Sequence, residues 1–421
     1  MARQKLIIAG VLLASTALAG AAWADPVTVA DKTLDGERLE AGIYPSAPMP
    51  EGFAVPDEPA HPPFELDWSI GLKGSYTAAT GGNSFVTTLN PAFTATHQGV
   101  RTDLVLNGGA SLARNTDGTL GVTGLNLQLD AVTALGRDTT ASGSARIGLS
   151  QDLPGAPGAN PLVEVPPQVL TAALSGAVER RFGRFDLSVT GDLERTLYGP
   201  TTRTDTGLTD NSADNVWQGD VGLRLGVEAT PIFDVFTQAD IGRDWFDQAG
   251  TSGIKNDATS RSLRGGVSGS WNGLLSASAS VGVGQHDFDD AGLTDITTRL
   301  YDASIAYSPD TTLNLTAALS TTIEPTGADV GGTARVAHIA TASASYTVNS
   351  WLRLRASADW GLSTVEGSGE TERRHGFGAG ADYKFNSRTA LSADYAYSHR
   401  DNSLNGVTDS HSVSLGVTLK R

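Results

Sequence analysis

Seven histidines, His61, His97, His286, His338, His375, His399 and His411, are the natural starting point for acid–base or metal chemistry in this chain. They fall one to a segment, and no His-Glu-x-x-His pair, Gly-x-Ser-x-Gly elbow or phosphate-binding loop accompanies them. A metal site built from them requires convergence in space that spacing alone does not supply. His286-Asp287-Phe288-Asp289-Asp290 sets an imidazole beside three carboxylates, which is the composition of an acid/base couple; the competing reading is a solvated acidic loop end. Asn115-Thr116-Asp117-Gly118 and Asp289-Asp290 offer carboxylates to calcium without the rigid, multidentate loop that calcium sites use. Cysteine is absent, which excludes thiolate metal sites, disulfides and a lipidated cysteine anchor together. The sequence therefore predicts no catalytic residue, no cofactor and no metal ligand.

The other charged residues are more informative, because they recur at every second position. From Leu352 the even positions Leu352, Leu354, Ala356, Ala358, Trp360 and Leu362 are apolar, while Arg353, Arg355, Ser357 and Asp359 fill the odd ones. Successive strand side chains point to opposite faces, so this segment is a strand with one greasy face and one charged face. The same alternation runs through His375–Phe385, Leu391–Tyr397 and Val413–Leu419, and it begins at Phe64. Assigning faces by parity predicts that Asp67, Lys73, Asp130, Asp192, Asp220, Arg224, Asp240, Arg264, Asp302, Arg353, Arg355, Asp359, Asp382 and Asp394 share one face. So many ions cannot be buried dry, since each unpaired charge costs several kcal/mol. They imply a hydrated interior, with apolar residues turned outward to lipid. Acids outnumber bases on this face, so weak cation preference is expected of any channel it lines.

Segments near 64–77, 84–97, 102–114, 124–136, 141–152, 169–181, 185–198, 215–229, 233–246, 260–272, 274–287, 298–308, 312–323, 334–348, 351–363, 373–385, 389–400 and 410–420 carry the pattern. The predicted fold is all-β: a transmembrane, antiparallel, up-and-down barrel of about 18 strands, within roughly 16–20. Short turns such as Phe182-Gly183-Arg184, Asn272-Gly273, Pro309-Asp310-Thr311 and Asn386-Ser387-Arg388 carry the residues that tight turns select. They alternate with longer connections such as 199–215, 247–260, 324–332 and 401–409, and a strict short–long alternation around the barrel is expected. Short turns face the periplasm in such barrels and long loops face outward. Trp271, Tyr307, Tyr346, Trp351, Tyr383 and Phe385 flank short turns, while Tyr198, Trp217, Trp245 and Trp360 lie toward the other ends, which predicts two interfacial girdles. The proline-rich loop Pro154–Pro167 reads as a surface cap or, alternatively, as a stiff constriction at the mouth.

Ahead of the barrel (64–421), residues 1–24 read as a signal peptide: Arg3 and Lys5, an apolar run from Leu6 to Ala19, then Ala22-Trp23-Ala24. Removing these two cations takes the formal charge from −16 to −18, which argues against a nucleic-acid partner. Residues 25–63 show no periodicity and are broken by Pro45, Pro48, Pro50, Pro56, Pro59, Pro62 and Pro63. Proline is excluded from central strands, so this is read as an extended periplasmic segment, with contact to a periplasmic partner as its alternative role.

Tyr307-Ser308-Pro309-Asp310-Thr311-Thr312-Leu313 at a turn, and the closing Ser412-Val413-Ser414-Leu415-Gly416-Val417-Thr418-Leu419, give the chain from Phe64 onward a pattern that resembles the β-barrel porin 2 family of Gram-negative bacteria. The resemblance implies an outer-membrane location, contact with outer-membrane lipid and insertion by the outer-membrane assembly machinery. It carries over no functional residues. One departure is the terminal Leu419-Lys420-Arg421, where such barrels commonly end in an aromatic residue. The expected function is a passive, water-filled pore for small neutral or cationic solutes, not an enzyme. The rival readings are a component of exopolysaccharide export and a non-conducting surface barrel. The oligomeric state is left open.

Overall fold

The computed structural model describes residues 64–421 apart from 81, 116–117, 119, 153–161, 252, 327–331 and 405. The expected signal peptide and the 25–63 segment lie outside the described residues.

Alternating polar and apolar side chains cannot be satisfied by a helix, and the chain forms strands throughout. In order these are β1 (Glu65–Ala79), β2 (Gly82–Gln98), β3 (Thr102–Asn115), β4 (Leu120–Ala134), β5 (Thr139–Gln151), β6 (Val163–Val165) and β7 (Gln168–Phe182). They continue with β8 (Phe185–Tyr198), β9 (Thr201–Arg203), β10 (Gly207–Thr209), β11 (Val216–Glu228), β12 (Phe233–Phe246), β13 (Ala258–Trp271) and β14 (Leu275–Phe288). The last are β15 (Ile296–Tyr307), β16 (Leu313–Pro325), β17 (Ala334–Thr347), β18 (Leu352–Val365), β19 (Thr371–Lys384), β20 (Thr389–Asn402) and β21 (Gly406–Lys420). Eighteen of them form one antiparallel sheet in which each long strand pairs with its neighbours in the chain. β1 pairs with both β2 and β21, so the sheet closes on itself and has no free end strand. These eighteen are the segments expected from alternation, each within a few residues of its predicted bounds.

Closure supplies what an apolar face alone cannot. In hydrocarbon an unpaired amide or carbonyl costs several kcal/mol, and closure leaves no end strand whose edge runs unpaired along its whole length. One face carries Leu66, Trp68, Ile70 and Leu72 on β1 and, through the register, Leu89 and Phe93 on β2, all substantially exposed. The parity slips once. A bulge between Ser111 and Leu112 of β3 leaves Thr123 of β4 without a cross-strand partner, so Val122 rather than Thr123 lies opposite Leu112.

The tight turns are built as their residues dictate. Asn272 and Gly273 both take positive φ (51° and 69°), the backbone of the two-residue hairpin turn that Asn-Gly favours. Asp310 Oδ1 accepts from the amides of Thr312 (2.8 Å) and Leu313 (3.0 Å) and from the Thr312 hydroxyl, which holds its carboxyl below the usual range. Asn349 and Asn386 close their turns in the same way.

The expected strict short–long alternation is not what forms. On the side opposite the tight turns, β1 and β2 are joined by residues 80–81 alone and β20 and β21 by 403–405, whereas β5–β7 and β8–β11 take 152–167 and 199–215. The two longest connections, 152–167 and 199–215, lie on one arc of the rim, and that arc carries extra structure. There the described end of the proline-rich loop contributes β6 to a three-stranded sheet with β9 and β10, which tie it to the next loop.

Candidate functional site: the polar face of the wall

Cross-strand partners share a face, so following the register around the wall assigns every predicted charge. Asp67 and Lys73 stand on β1, Asp130 on β4, Asp192 on β8, Asp220 and Arg224 on β11, Asp240 on β12, Arg264 on β13 and Asp302 on β15. Arg353, Arg355 and Asp359 stand on β18, Asp382 on β19 and Asp394 on β20. All project from the face opposite Trp68, Leu223 and Trp360.

The structure gathers some of these into networks and leaves others apart. Arg355 reaches Asp382 (2.8 Å) and Asp394 (2.7 Å), and Asp394 also meets Lys73 (3.4 Å), which links β18, β19, β20 and β1. Arg264 pairs with Asp302 at 2.5 Å, two strands away. Arg224 lays its guanidinium 3.6 Å from the Phe236 ring centroid, a cation–π contact. Asp240 accepts from Gln238 (2.8 Å) and Ser262 (2.7 Å), and Asp130 from Gln128. Asp192 and Asp220 lie directly opposite one another with no basic residue between them. β8, β11 and β12 together carry Asp186, Asp192, Glu194, Asp220, Glu228, Asp234, Asp240 and Asp244 on this face against Arg224 alone, so this arc of the wall is strongly acidic.

Glycine makes room for these carboxylates. Asp220 faces Gly242, Asp240 faces Gly222, Asp186 faces Gly226, Asp359 faces Gly376 and Asp394 faces Gly380. A Cβ at Gly222 would meet Asp240 Oδ1 at 2.5 Å, and one at Gly376 would meet Asp359 Oδ1 at 2.6 Å. Each acid therefore lies down along the wall over a neighbour with no side chain.

The His286–Asp290 couple does not form. Period two puts His286 on the polar face and Asp287 on the apolar one, where Asp287 pairs with Arg261 at 2.7 Å. The carboxylate nearest His286 is Asp244 of β12, at 3.6 Å, with both residues buried. Asp244 shares parity with Asp240, and that parity was the signal that could have identified it. Asp289 is held by Arg243, and Asp290 Oδ1 caps the amide of Gly292 at 2.8 Å, so both candidate calcium ligands are engaged within the chain. Residues 116–117 of the other candidate lie outside the described residues. The histidines are less dispersed than their spacing suggests. β19, β20 and β21 bring His375 and His399 to 4.6 Å between ring centroids on the apolar face, with His399 Nδ1 2.7 Å from Asp409 and His411 bonded to the Tyr395 hydroxyl. The first two rings stack face to face; among the described residues no group of three His, Cys, Asp or Glu is placed to hold a metal ion.

Two bands of aromatics mark the apolar face. Trp351 packs edge-on to Tyr383 (5.2 Å) and Phe233 to Trp271 (5.1 Å) beside tight turns, while Trp217 lies opposite Trp245 near the far rim. Trp351 immediately precedes β18 and Trp360 lies nine residues further along, which is about 30 Å of chain at ~3.3 Å per residue and about 23 Å of height at a ~40° tilt. That matches the ~25 Å apolar band of outer-membrane barrels. Tyr198 departs from the expected girdle: its parity puts it on the polar face, where its amide donates to Asn215 Oδ1 at 2.7 Å.

One seam of the wall differs from the rest. β15 and β16 pair only from Ala303–Tyr307 to Leu315–Leu319. Beyond it, Ile323, Val336 and Ala334, which have apolar-face parity, cluster with Ile296 and Phe288, which have polar-face parity. A Cβ on Gly284 would meet Ile323 Cδ1 at 3.2 Å and Leu300 Cδ1 at 3.0 Å. The rim half of the β16–β17 hairpin therefore parts from β15 and lies across the polar face of β14 and β15, while β17 stays laddered to β18 out to Arg335–Val365, and Thr326 O takes a 2.9 Å bond from Asn256 of the β12–β13 loop. Alternation could not reveal this, because it continues unbroken through β16 and β17.

The family model described as "Putative beta-barrel porin 2" matches residues 62–421, the stretch that carries the whole closed wall. The chain belongs to this family. This is the family whose hairpin pattern the sequence resembles, a family of porin-like outer-membrane barrels. No curated protein matches the chain. Among solved structures it is similar to Pseudomonas aeruginosa OpdK with vanillate, at 12% identity and TM-score 0.41, over 85% of this chain and 99% of that one. It is also similar to P. aeruginosa OccK2 (OpdF), at 11% identity and TM-score 0.45, over 85% and 98%. The Neisseria meningitidis FrpB iron transporter aligns at 9% identity and TM-score 0.43, over 80% and 62%.

Proposed function

We propose that the polar face lines a water-filled lumen and that this barrel is a passive pore for small neutral or cationic solutes across the outer membrane of a Gram-negative bacterium. The observation that carries the reading is the state of the polar-face ions. The side chains of Lys73, Arg355 and Asp394 keep 25%, 33% and 24% of their surface accessible while paired, and Arg264 and Asp302 keep 24% and 31%. Charges held that way are solvated ions on a wet wall. In a dry interior their desolvation would outweigh the pairing. The acidic arc of β8, β11 and β12 raises the local concentration of cations. A closed barrel of this strand number is wide enough for an aqueous channel.

Planar-bilayer recording of the purified protein across a potassium chloride gradient tests this. Stepwise conductance with a reversal potential of cation-selective sign is expected; insertion without steps, or anion selectivity, would reject the pore or its charge preference respectively. One observation favours the rival non-conducting barrel, namely the β16–β17 hairpin lying across the polar face near the rim. Liposome swelling with uncharged sugars separates the two, since a blocked barrel gives none.

A further inference from the structure

Every neighbouring pair of wall strands other than β15 and β16 is laddered over eleven residue pairs or more; β15 and β16 share only the five from Ala303–Leu319 to Tyr307–Leu315. Continuing that register past Ala303 would set Tyr301 against Thr321, Arg299 against Ile323 and Thr297 against Pro325. Thr321 already sits at the first of these positions. Its hydroxyl takes a bond from the Tyr301 amide (3.2 Å) and donates to the Tyr301 carbonyl (3.3 Å), so a side chain fills the place of main-chain ladder bonds. Main-chain groups of alternate residues point to the same edge, so the amides and carbonyls of Arg299 and Thr297 face the edge that β16 has vacated. An unpaired strand edge is a template for another strand.

We propose that this vacant edge of β15 is a docking surface for this chain's own segment Ser320–Pro325, and that the rim half of β16–β17 is a flap with two seats. In the lapped seat, the one described, the hairpin lies inward over β14 and β15 and narrows the mouth. In the zipped seat it continues the β15–β16 ladder and the mouth is wider. The sequence suits both. Leu319, Thr321 and Ile323 alternate with Ser320, Thr322 and Glu324 as an ordinary wall strand does, so β16 itself carries no mismatched face when zipped, while zipping uncovers Ile296 and Phe288 on the polar face of β15 and β14. On the β15 side the lapped seat is held by Ile296, Phe288, Ile323, Ala334 and Val336, the Thr321–Tyr301 bonds and the Asn256–Thr326 bond at its tip; on the other side β17 stays laddered to β18 out to Arg335–Val365, the seam about which the hairpin turns. Zipping exchanges that apolar contact for ladder bonds at Tyr301 and Arg299.

The inward sense of the lapped seat rests on the pore reading, so the test has one arm that needs no conductance. The chain has no cysteine, and introduced pairs are its only thiols. Gly284→Cys with Ile323→Cys reports the lapped seat, and Ile296→Cys with Val336→Cys is a second reporter should crowding at Gly284 hinder folding. Arg299→Cys with Ile323→Cys reports the zipped seat, because those residues lie on opposite sides of β15 when the hairpin is lapped. A short bis-methanethiosulfonate applied to outer-membrane vesicles should bridge both kinds of pair, seen as a reductant-reversible gel shift. In bilayers the bridged Arg299/Ile323 protein should conduct at least twofold more than the bridged Gly284/Ile323 protein. Bridging of the lapped reporters with none at Arg299/Ile323 would overturn the second seat. Bridging at Arg299/Ile323 alone would overturn the lapped one. Both bridges forming with equal conductance would overturn the flap's control of the mouth, and both forming in a protein that never conducts would retire the pore while keeping the flap.

Discussion

At the rim, single ion pairs fix how loops meet strands. Arg195 holds Asp247 and Arg243 holds Asp289, and each guanidinium keeps its carboxyl below the usual carboxylate range. A carboxyl whose folded pKa is lowered stabilises the fold fully above its unfolded value, near 4, and that contribution is lost as pH falls through the folded value. These pairs are partly exposed, so each is worth less than about 1 kcal/mol. Limited proteolysis of the 247–257 loop should therefore be unchanged from pH 7 to 5 and faster below about pH 4. Asp289→Asn should show the acid rate at neutral pH. On the polar face, Gly242→Ala would drive a methyl into Asp220 and is expected to cost about 1–3 kcal/mol in urea unfolding from lipid vesicles. Gly82→Ala, with nothing near its Cβ, controls for added bulk alone but not for its positive φ of 133°. That Asp220 lies over Gly242 was not legible in the sequence. It depends on the register between two strands, and alternation gives a residue's face but not its partner.

At the scale of strands, face and extent were legible, because each side chain in a wall strand meets either lipid or water and the sequence must declare which. Leu352 to Leu362 declares it fully, and the β18 ladder follows it. Two features escaped for identifiable reasons. The bulge at Ser111 and Leu112 shifts parity near the end of the β3–β4 ladder, where Gly121 and Gly124 blur the pattern. The lapped hairpin keeps wall alternation while parting from β15, since its apolar face finds Phe288, Ile296 and Leu300 in place of lipid. The short β1–β2 and β20–β21 connections likewise show that loop length tracks rim structure, not strand order. Thr321→Val keeps shape and removes the hydroxyl that satisfies Tyr301; a loss of about 1–3 kcal/mol in the same unfolding assay is expected, against under about 1 kcal/mol for Thr316→Val in the laddered part.

For the molecule as a whole, the two faces must answer differently to one substitution. Leu223 and Ala342 carry the apolar face, and Ser343 the polar one. Arginine at Leu223 should cost about 2–4 kcal/mol of folding into bilayers, as charges do near the midplane of a lipid face, whereas Ser343→Arg should cost less than about 1 kcal/mol. Heat-modifiability gels after folding into vesicles measure both. The absence of cysteine allows a sharper test of the division between lipid and water. Single cysteines placed in turn at Ala342, Ser343, Leu354 and Arg355 should react with a charged, membrane-impermeant maleimide in intact outer-membrane vesicles at 343 and 355 and stay unlabelled at 342 and 354. Equal labelling at all four positions, or labelling confined to 342 and 354, would contradict a wall that turns its polar face to an aqueous interior.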